Sequence, residues 1–369
     1  LHVEVKMEFL GRSMNLKWMA LGLAMTACSA SALAAGQEMP VYQPEEQYKL
    51  VFNVYGNGFK GLVREWGDAY MKHQPGVQVA VTSGGSDAAA GAIQHNTADV
   101  ASFGRELTFT EYLGAFQNNG YLPTDYIVAG GGYDVPGSSF GLVVLVNEKN
   151  PVSRLTMKQL DGIFGEQRTG GYDKFKFIPH DRSEQDNIRA WGQVGLKGGW
   201  SEKEINTYGY AYTGMAEFFQ LRVLGGSNKW NPNFRQYVDN GSRLFTEAST
   251  GMTAMFHDIA ADEAAIGFAG MPQWLAESKN VKGVKAIALA HNENTPYVYP
   301  TRETMIDRTY PLTRNVYINI NKAPGIPLHP QIKDFMSFVL SKEGQDIVRR
   351  HGIYLPLPAE VVNEERRKL

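Results

Sequence analysis

Val77-Gln78-Val79-Ala80-Val81-Thr82-Ser83-Gly84-Gly85-Ser86-Asp87-Ala88-Ala89-Ala90-Gly91-Ala92-Ile93-Gln94 reads as a β-branched alternating run, a Ser/Gly turn and an alanine-rich helical stretch. A strand that turns through glycines into a helix points free backbone N–H groups, with the positive end of the helix dipole, at one spot. Thr82, Ser83 and Ser86 add hydroxyl donors there, and Gly84 and Gly85 let a ligand come close to the backbone. The local reading is an anion cradle; the plainer alternative is that Ser83 or Ser86 only caps the helix.

Working outward, Lys49 to Tyr55 is strand-like, Phe59 to His73 helical, Val77 to Thr82 strand-like and Ala88 to Asn96 helical. That alternation marks βαβ units and a parallel sheet. Strands are expected over Asp125 to Gly132 and Gly141 to Asn147, around a Pro136-Gly137 turn, and again over Asn315 to Asn321. Ile332 to His351 carries Phe335, Phe338, Val339, Ile347 and Val348 at helical spacing, before Pro356 and Pro358. The simplest arrangement is two α/β lobes whose C-terminal elements return to the first. Gln37 to Gln47 reads as a polar linker.

Met14, Asn15 and Lys17 form a short basic start, Trp18 to Ala27 an apolar stretch and Ala32-Leu33-Ala34 an A-x-A cleavage site. This is a secretory signal, too short to span a bilayer, and Leu1 to Ser13 ahead of it are expected to lie outside the fold. The sole cysteine, Cys28, falls inside the signal, so cleavage leaves a chain without thiols. A loose lipobox, Met25-Thr26-Ala27-Cys28, offers the competing outcome of a lipid anchor. The roughly 335 residues after the cleavage site exceed the usual size of one core, which again favours two lobes. Lys+Arg 36 against Asp+Glu 38 argues against a nucleic-acid surface, and a periplasmic monomer is expected.

Other chemistries find little support. Gly137-Ser138-Ser139-Phe140-Gly141 matches G-x-S-x-G, but it follows Pro136 and opens a strand rather than a helix, which is wrong for a nucleophile elbow. The eight histidines show no H-x-x-x-H spacing, and His180 reads as a loop residue, so neither catalysis, metal nor cofactor is expected. The aromatic run from Trp191 to Tyr237 reads as core and lobe surface, with stacking on a ring ligand as the alternative.

Several segments together resemble the phosphate-type substrate-binding proteins of bacterial ABC transporters. They are FMSFVLSKEGQDIVRRHGIYLPLP from Phe335 to Pro358, Tyr310 to Arg314 with Val316 to Ile318, Glu263 to Phe268, Arg154 to Thr156 with Leu160 to Phe164, and Asp99 to Arg105. The resemblance implies a type II periplasmic-binding-protein fold, two α/β lobes joined by a hinge with the ligand cleft between them. Lobe one would comprise 48–138 and 312–369, and lobe two 139–311, after a signal over 1–34 and a linker over 35–47. It also places Asn57, Gly58, Ser83, Gly84 and Ser86 in ligand-binding turns and Arg105 on an anion-contacting position.

The lobe-two loop departs from the family pattern. Where an arginine and then Ser-Gly-Thr are usual, His180 to Arg189 offers Arg182, Ser183 and Asn187 as donors, with Glu184 and Asp186 adding negative charge. Each charge-assisted hydrogen bond to a buried oxyanion is worth roughly 1.5 to 3 kcal/mol, so two lost donors would turn micromolar binding millimolar. The alternative is that these arginines and Arg105 serve surface ion pairs. The expectation is an exported protein that delivers a small oxyanion, phosphate first, to an ABC permease. The alternatives are a phosphonate or organic acid ligand, or a secreted interaction protein with a degenerate cleft.

Overall fold

The computed structural model describes residues 38–173, 176–210, 214–238 and 250–369. The signal sequence with Cys28, and the side chains of His180 and Asp181, lie outside the described residues. The first half runs β1 (Leu50–Gly56), α1 (Leu62–His73), β2 (Val77–Ser83), α2 (Ser86–His95), β3 (Val100–Phe103), α3 (Phe109–Asn119) and β4 (Thr124–Gly130). The chain continues through β5 (Leu142–Asn147), β6 (Arg154–Thr156), α4 (Met157–Phe164), β7 (Arg168–Asp173), β8 (Lys176–Arg182), β9 (Asn206–Gly209), α5 (Gly214–Val223) and β10 (Arg235–Gln236). After α6 (Thr250–Ala261), β11 (Ala265–Gly270), α7 (Met271–Glu277), β12 (Val284–Ala286), β13 (Ala288–Ala290) and α8 (Arg302–Ile306) come β14 (Asn315–Ile320), α9 (Pro330–Val339), α10 (Lys342–His351) and α11 (Ala359–Arg366).

One five-stranded sheet has the order β2-β1-β3-β14-β4 and the other β10-β9-β11-β5-β12. In the first, β1 lies parallel to both β2 and β3, so Gly56 is level with Ser83 on one side and Ser102 on the other. The carboxyl ends of three neighbouring strands therefore open on one edge, where α/β sheets bind ligands. β14 fills the antiparallel position between β3 and β4 although it comes almost 200 residues after β4. In the second sheet, β5 and β11 are buried along their whole length, which explains their unbroken apolar sequences. Each sheet has its own apolar cluster, Phe52, Trp66, Tyr70 and Phe335 among the residues of one, Val144, Phe164, Phe219 and Phe268 among those of the other. The aromatic run belongs mostly to the second: Phe219 stacks on Phe268 at 4.0 Å and Trp230 on Phe234 at 4.4 Å.

The chain crosses between the sheets twice, side by side. Gly131 N donates to Arg314 O at 2.7 Å, Gly132 N to Ser139 O at 2.6 Å and Leu142 N to Leu312 O at 3.1 Å.

Local detail departs from the sequence reading in three places. Phe59 to Gly61 is a single 3₁₀ turn, set off from α1 by left-handed backbone at Phe59, Lys60 and Gly61 (φ +100°), so the helix expected from Phe59 to His73 is broken at its first turn. The segment 332–351 is two helices. Ser341 caps the second by accepting from Gly344 N at 3.1 Å, and Trp66 Nε1 donates to Gly344 O at 2.9 Å, so tertiary contacts end what apolar spacing would continue. The linker is docked in its middle: Tyr42 is buried and its hydroxyl meets Asp334 Oδ2 at 2.7 Å, alongside the Tyr70 hydroxyl at 2.8 Å.

Candidate functional site

The turns after β1, β2 and β3 are fastened to one another. Gly84 and Gly85 both donate their amides to Gly56 O, at 2.9 and 3.0 Å, and Asn57 N donates to Ser102 O at 2.8 Å. Gly84 thus supplies close approach rather than a free donor. Gly58 fits because a Cβ would collide with Ser83 Oγ, and Gly104 because a Cβ would run into Ser139 Oγ and come within 2.7 Å of Asn57 Nδ2. Ser86 Oγ accepts from Gly104 N at 3.1 Å. The first helical hydrogen bond of α2 is Ala89 N to Gly85 O, and no side chain caps this helix, so its leading amides face the strand ends. Asn57, Gly58, Ser83, Gly84, Ser86 and Arg105 are all brought to this edge, joined by Ser139 from the crossing segment. Ser139 also hydrogen-bonds the Tyr354 hydroxyl, which burial pushes up to about 12.

Arg105, the expected charge neutraliser, is ringed by carboxylates. It is 7% exposed, and Glu111 takes it in a fork at 2.8 and 2.9 Å, with Asp87 at 2.8 Å and Glu217 at 3.4 Å. Its charge is spent on these carboxylates. Beside it Arg222 of α5 pairs with Glu106, so two ion pairs of opposite polarity hold α5 against the loop after β3.

Arg314 is the reverse case. It is also 7% exposed, lies where the crossing segments meet, and has no ion pair among the described residues. Its Nη2 donates to Gly214 O at 3.3 Å, Phe218 lies 5.2 Å below the guanidinium, and its buried Nε has no hydrogen-bond partner. Burial pushes its pKa below the ordinary arginine value; Glu106 opposes that shift and Arg105 adds to it. A buried cation without a counter-charge is costly, and a bound anion removes the cost. The start of α5, at Gly214, lies against this same arginine.

Arg182, Ser183 and Asn187 form a separate group around α4. Arg182 Nη2 meets Asn187 Oδ1 at 2.5 Å and Gly162 O at 3.2 Å, while Ser183 Oγ donates to Asp186 Oδ2 at 2.8 Å. Asn187 Nδ2 donates to Glu166 Oε1 at 3.3 Å, Arg189 pairs with the same carboxylate, and Arg168 grips Asp161 at 2.8 and 2.7 Å. The donors expected to close on the ligand are engaged with one another and with α4, except Arg182 Nη1, which is buried without a hydrogen-bond partner. Sequence reasoning missed Ser139, Arg314 and Gly214. The signal for the last was a glycine opening a helical stretch, Gly214 to Phe219, away from the loop where a donor-rich helix start was sought.

Residues 58–343 match the sequence model of the PBP superfamily domain, and the chain belongs to that superfamily. It is 29% identical, over 364 residues, to the phosphate-binding protein PstS of Pseudomonas aeruginosa, covering 96% of this chain and 99% of that protein. It is 25% identical to the protein SphX of Synechococcus elongatus, over 62% of this chain and 56% of that protein. The crystal structure of PstS from Borrelia burgdorferi superimposes with a TM-score of 0.52 at 17% identity, over 84% of this chain and 99% of that one. The fold is the type II one that the sequence segments implied.

Proposed function

We propose that this protein is an exported solute-binding protein that captures inorganic phosphate between its two α/β halves and hands it to an ABC permease. The observation that carries the reading is Arg314, a buried guanidinium with no acidic partner among the described residues, placed where the start of α5 meets the edge formed by Asn57, Ser86 and Ser139. Phosphate would take the amides at the start of α2, the Ser83 and Ser86 hydroxyls, Asn57 Nδ2 and the Arg314 fork. Arg105 would hold the walls together, and Arg182, Ser183 and Asn187 would stiffen lobe two rather than touch the ligand. The name of the Pseudomonas aeruginosa relative supports phosphate, and the family resemblance supports the permease. The reading takes 48–138 with 312–369 as one lobe and 139–311 as the other, with the paired crossings as hinge. It also takes the protein as a periplasmic monomer and a non-enzyme; Ser139 sits in the loop entering β5, where no helix follows to make a nucleophile elbow.

Calorimetric titration of phosphate into the ligand-stripped protein, with sulfate and carboxylates beside it, tests the proposal. Micromolar binding is expected, weakened about a hundredfold in Arg314→Gln by the loss of roughly 3 kcal/mol of charge-assisted hydrogen bonding. Heat with a carboxylate alone would reassign the site to an organic acid, and no heat with any anion would overturn the reading.

A further inference from the structure

A cavity of about 930 Å³ opens between the loop after β3, the outer strands of the first sheet and the last turn of α5, and no residue of the phosphate cradle lines it. One wall is a relay of hydrogen bonds. Arg308 Nη1 donates to Asn315 Oδ1 at 2.6 Å, Asn315 Nδ2 to the Tyr317 hydroxyl at 3.1 Å, and that hydroxyl to Glu106 Oε1 at 2.7 Å, where Arg222 also pairs. Leu107 and Leu221 give the cavity an apolar side.

Both ends of the relay are unbalanced. At one end Arg308 has no ion pair among the described residues, and the nearby Glu365 is already taken by Lys368 at 2.6 Å. Its backbone sits at φ +65°, a region an arginine adopts only at a cost. Backbone strain of this kind persists where the surroundings impose it and is concentrated at ligand sites. At the other end Glu106 Oε2 is buried without a hydrogen-bond partner, so a carboxylate oxygen is left wanting a donor. An anion alone would satisfy Arg308 and leave Glu106 Oε2 without a donor; an amine alone would do the reverse, with Glu106 Oε1 held by Arg222 and Tyr317 in either case.

We infer that this cavity binds a small amphoteric organic molecule, its phosphate or carboxylate group held by Arg308 and its ammonium by Glu106 Oε2. The volume falls in the range of small-molecule pockets, roughly 300 to 1,000 Å³. Such a ligand would sit beside the Arg222–Glu106 pair that ties α5 to the loop after β3.

The test titrates 2-aminoethyl phosphate and γ-aminobutyrate, with ethyl phosphate as the amine-free control, into the full protein. At least one amphoteric probe is expected to bind, and Arg308→Gly to weaken it at least about tenfold while phosphate binding stays as it was. Glycine relieves the left-handed strain, so this variant is expected to keep its Tm. Glu106→Gln is expected to weaken the amphoteric probe and spare ethyl phosphate. The inference is overturned if neither probe binds, if Arg308→Gly leaves their affinity unchanged, or if binding disappears in Arg314→Gln instead. A failure of inorganic phosphate to bind would sink the proposed function without touching this one, because the cavity and the cradle share no residue.

Discussion

Arginines gather in two regions, and the two regions balance them in opposite ways. Around α4, Arg168 and Arg189 each hold a carboxylate and Arg182 shares Asp161 at 3.7 Å, so every arginine there has an acid within reach even though three guanidinium groups face two carboxylates and Arg182 Nη1 is buried without a hydrogen-bond partner. At the edge of the first sheet Arg105 is matched three times over while Arg314, in the same neighbourhood, is matched by none of the described residues. A buried arginine with its acids is part of the scaffold; one without them is waiting for an anion. Position in a motif does not separate the two cases, and the charge around the guanidinium does.

The strongest way to break this comparison is Arg105→Ala. If Arg105 is scaffold, its loss strands Glu111, whose side chain is only 14% exposed, and releases Glu217 of α5. Breaking a buried pair costs roughly 3 to 5 kcal/mol, and the exposure of Asp87 and Glu217 puts this case near the lower figure. Urea unfolding is expected to show a loss of about 3 kcal/mol, with phosphate affinity within about threefold of the parent protein. A collapse of affinity at unchanged stability would mean that Arg105, and not Arg314, is the ligand arginine.

The sequence exposed the parallel edge because its cause is local. Alternation in β2, the Ser83 to Ser86 turn and the alanines of α2 are contiguous, and the register of β1 with β2 follows from short connections. Arg314 enters the sequence reading only as the end of a family-like segment, since the acids it lacks are a property of the folded neighbourhood. Arg105 looked available for the same reason: Glu111 lies 6 residues away, but Asp87 lies 18 away and Glu217 comes from another sheet's helix. The loop from Arg182 to Asn187 was rich in donors, yet acceptors at Asp161, Gly162 and Glu166 had taken most of them. Only the fold reveals which donors are already spoken for.

A smaller effect sharpens the contrast from the other side. Ser183→Ala removes one exposed hydrogen bond to Asp186, and Asn187→Ala removes the contacts to Arg182 and Glu166. Each is expected to cost about 1 kcal/mol or less in unfolding and to leave phosphate calorimetry within about twofold. A tenfold loss of affinity in either variant would show that the α4 group closes on the ligand after all.

Proton linkage at Glu166 gives the smallest signal. Burial alone would raise its pKa, but the hydrogen bond and charge of Arg189 outweigh burial and hold it below the usual glutamate value. A carboxyl whose folded value is depressed contributes stability above its unfolded pKa and loses it as pH falls through the folded one. As pH falls below about 4.5, through the depressed folded value, the Arg189 pair should therefore weaken, by under about 1 kcal/mol because both side chains keep partial access to water. Glu166→Gln cannot make this loss, so urea curves for it and for the parent should converge over that fall in pH. Parallel curves would mean that Glu166 gains nothing from Arg189, which would leave the α4 arginines less balanced than their geometry indicates and weaken the distinction from Arg314.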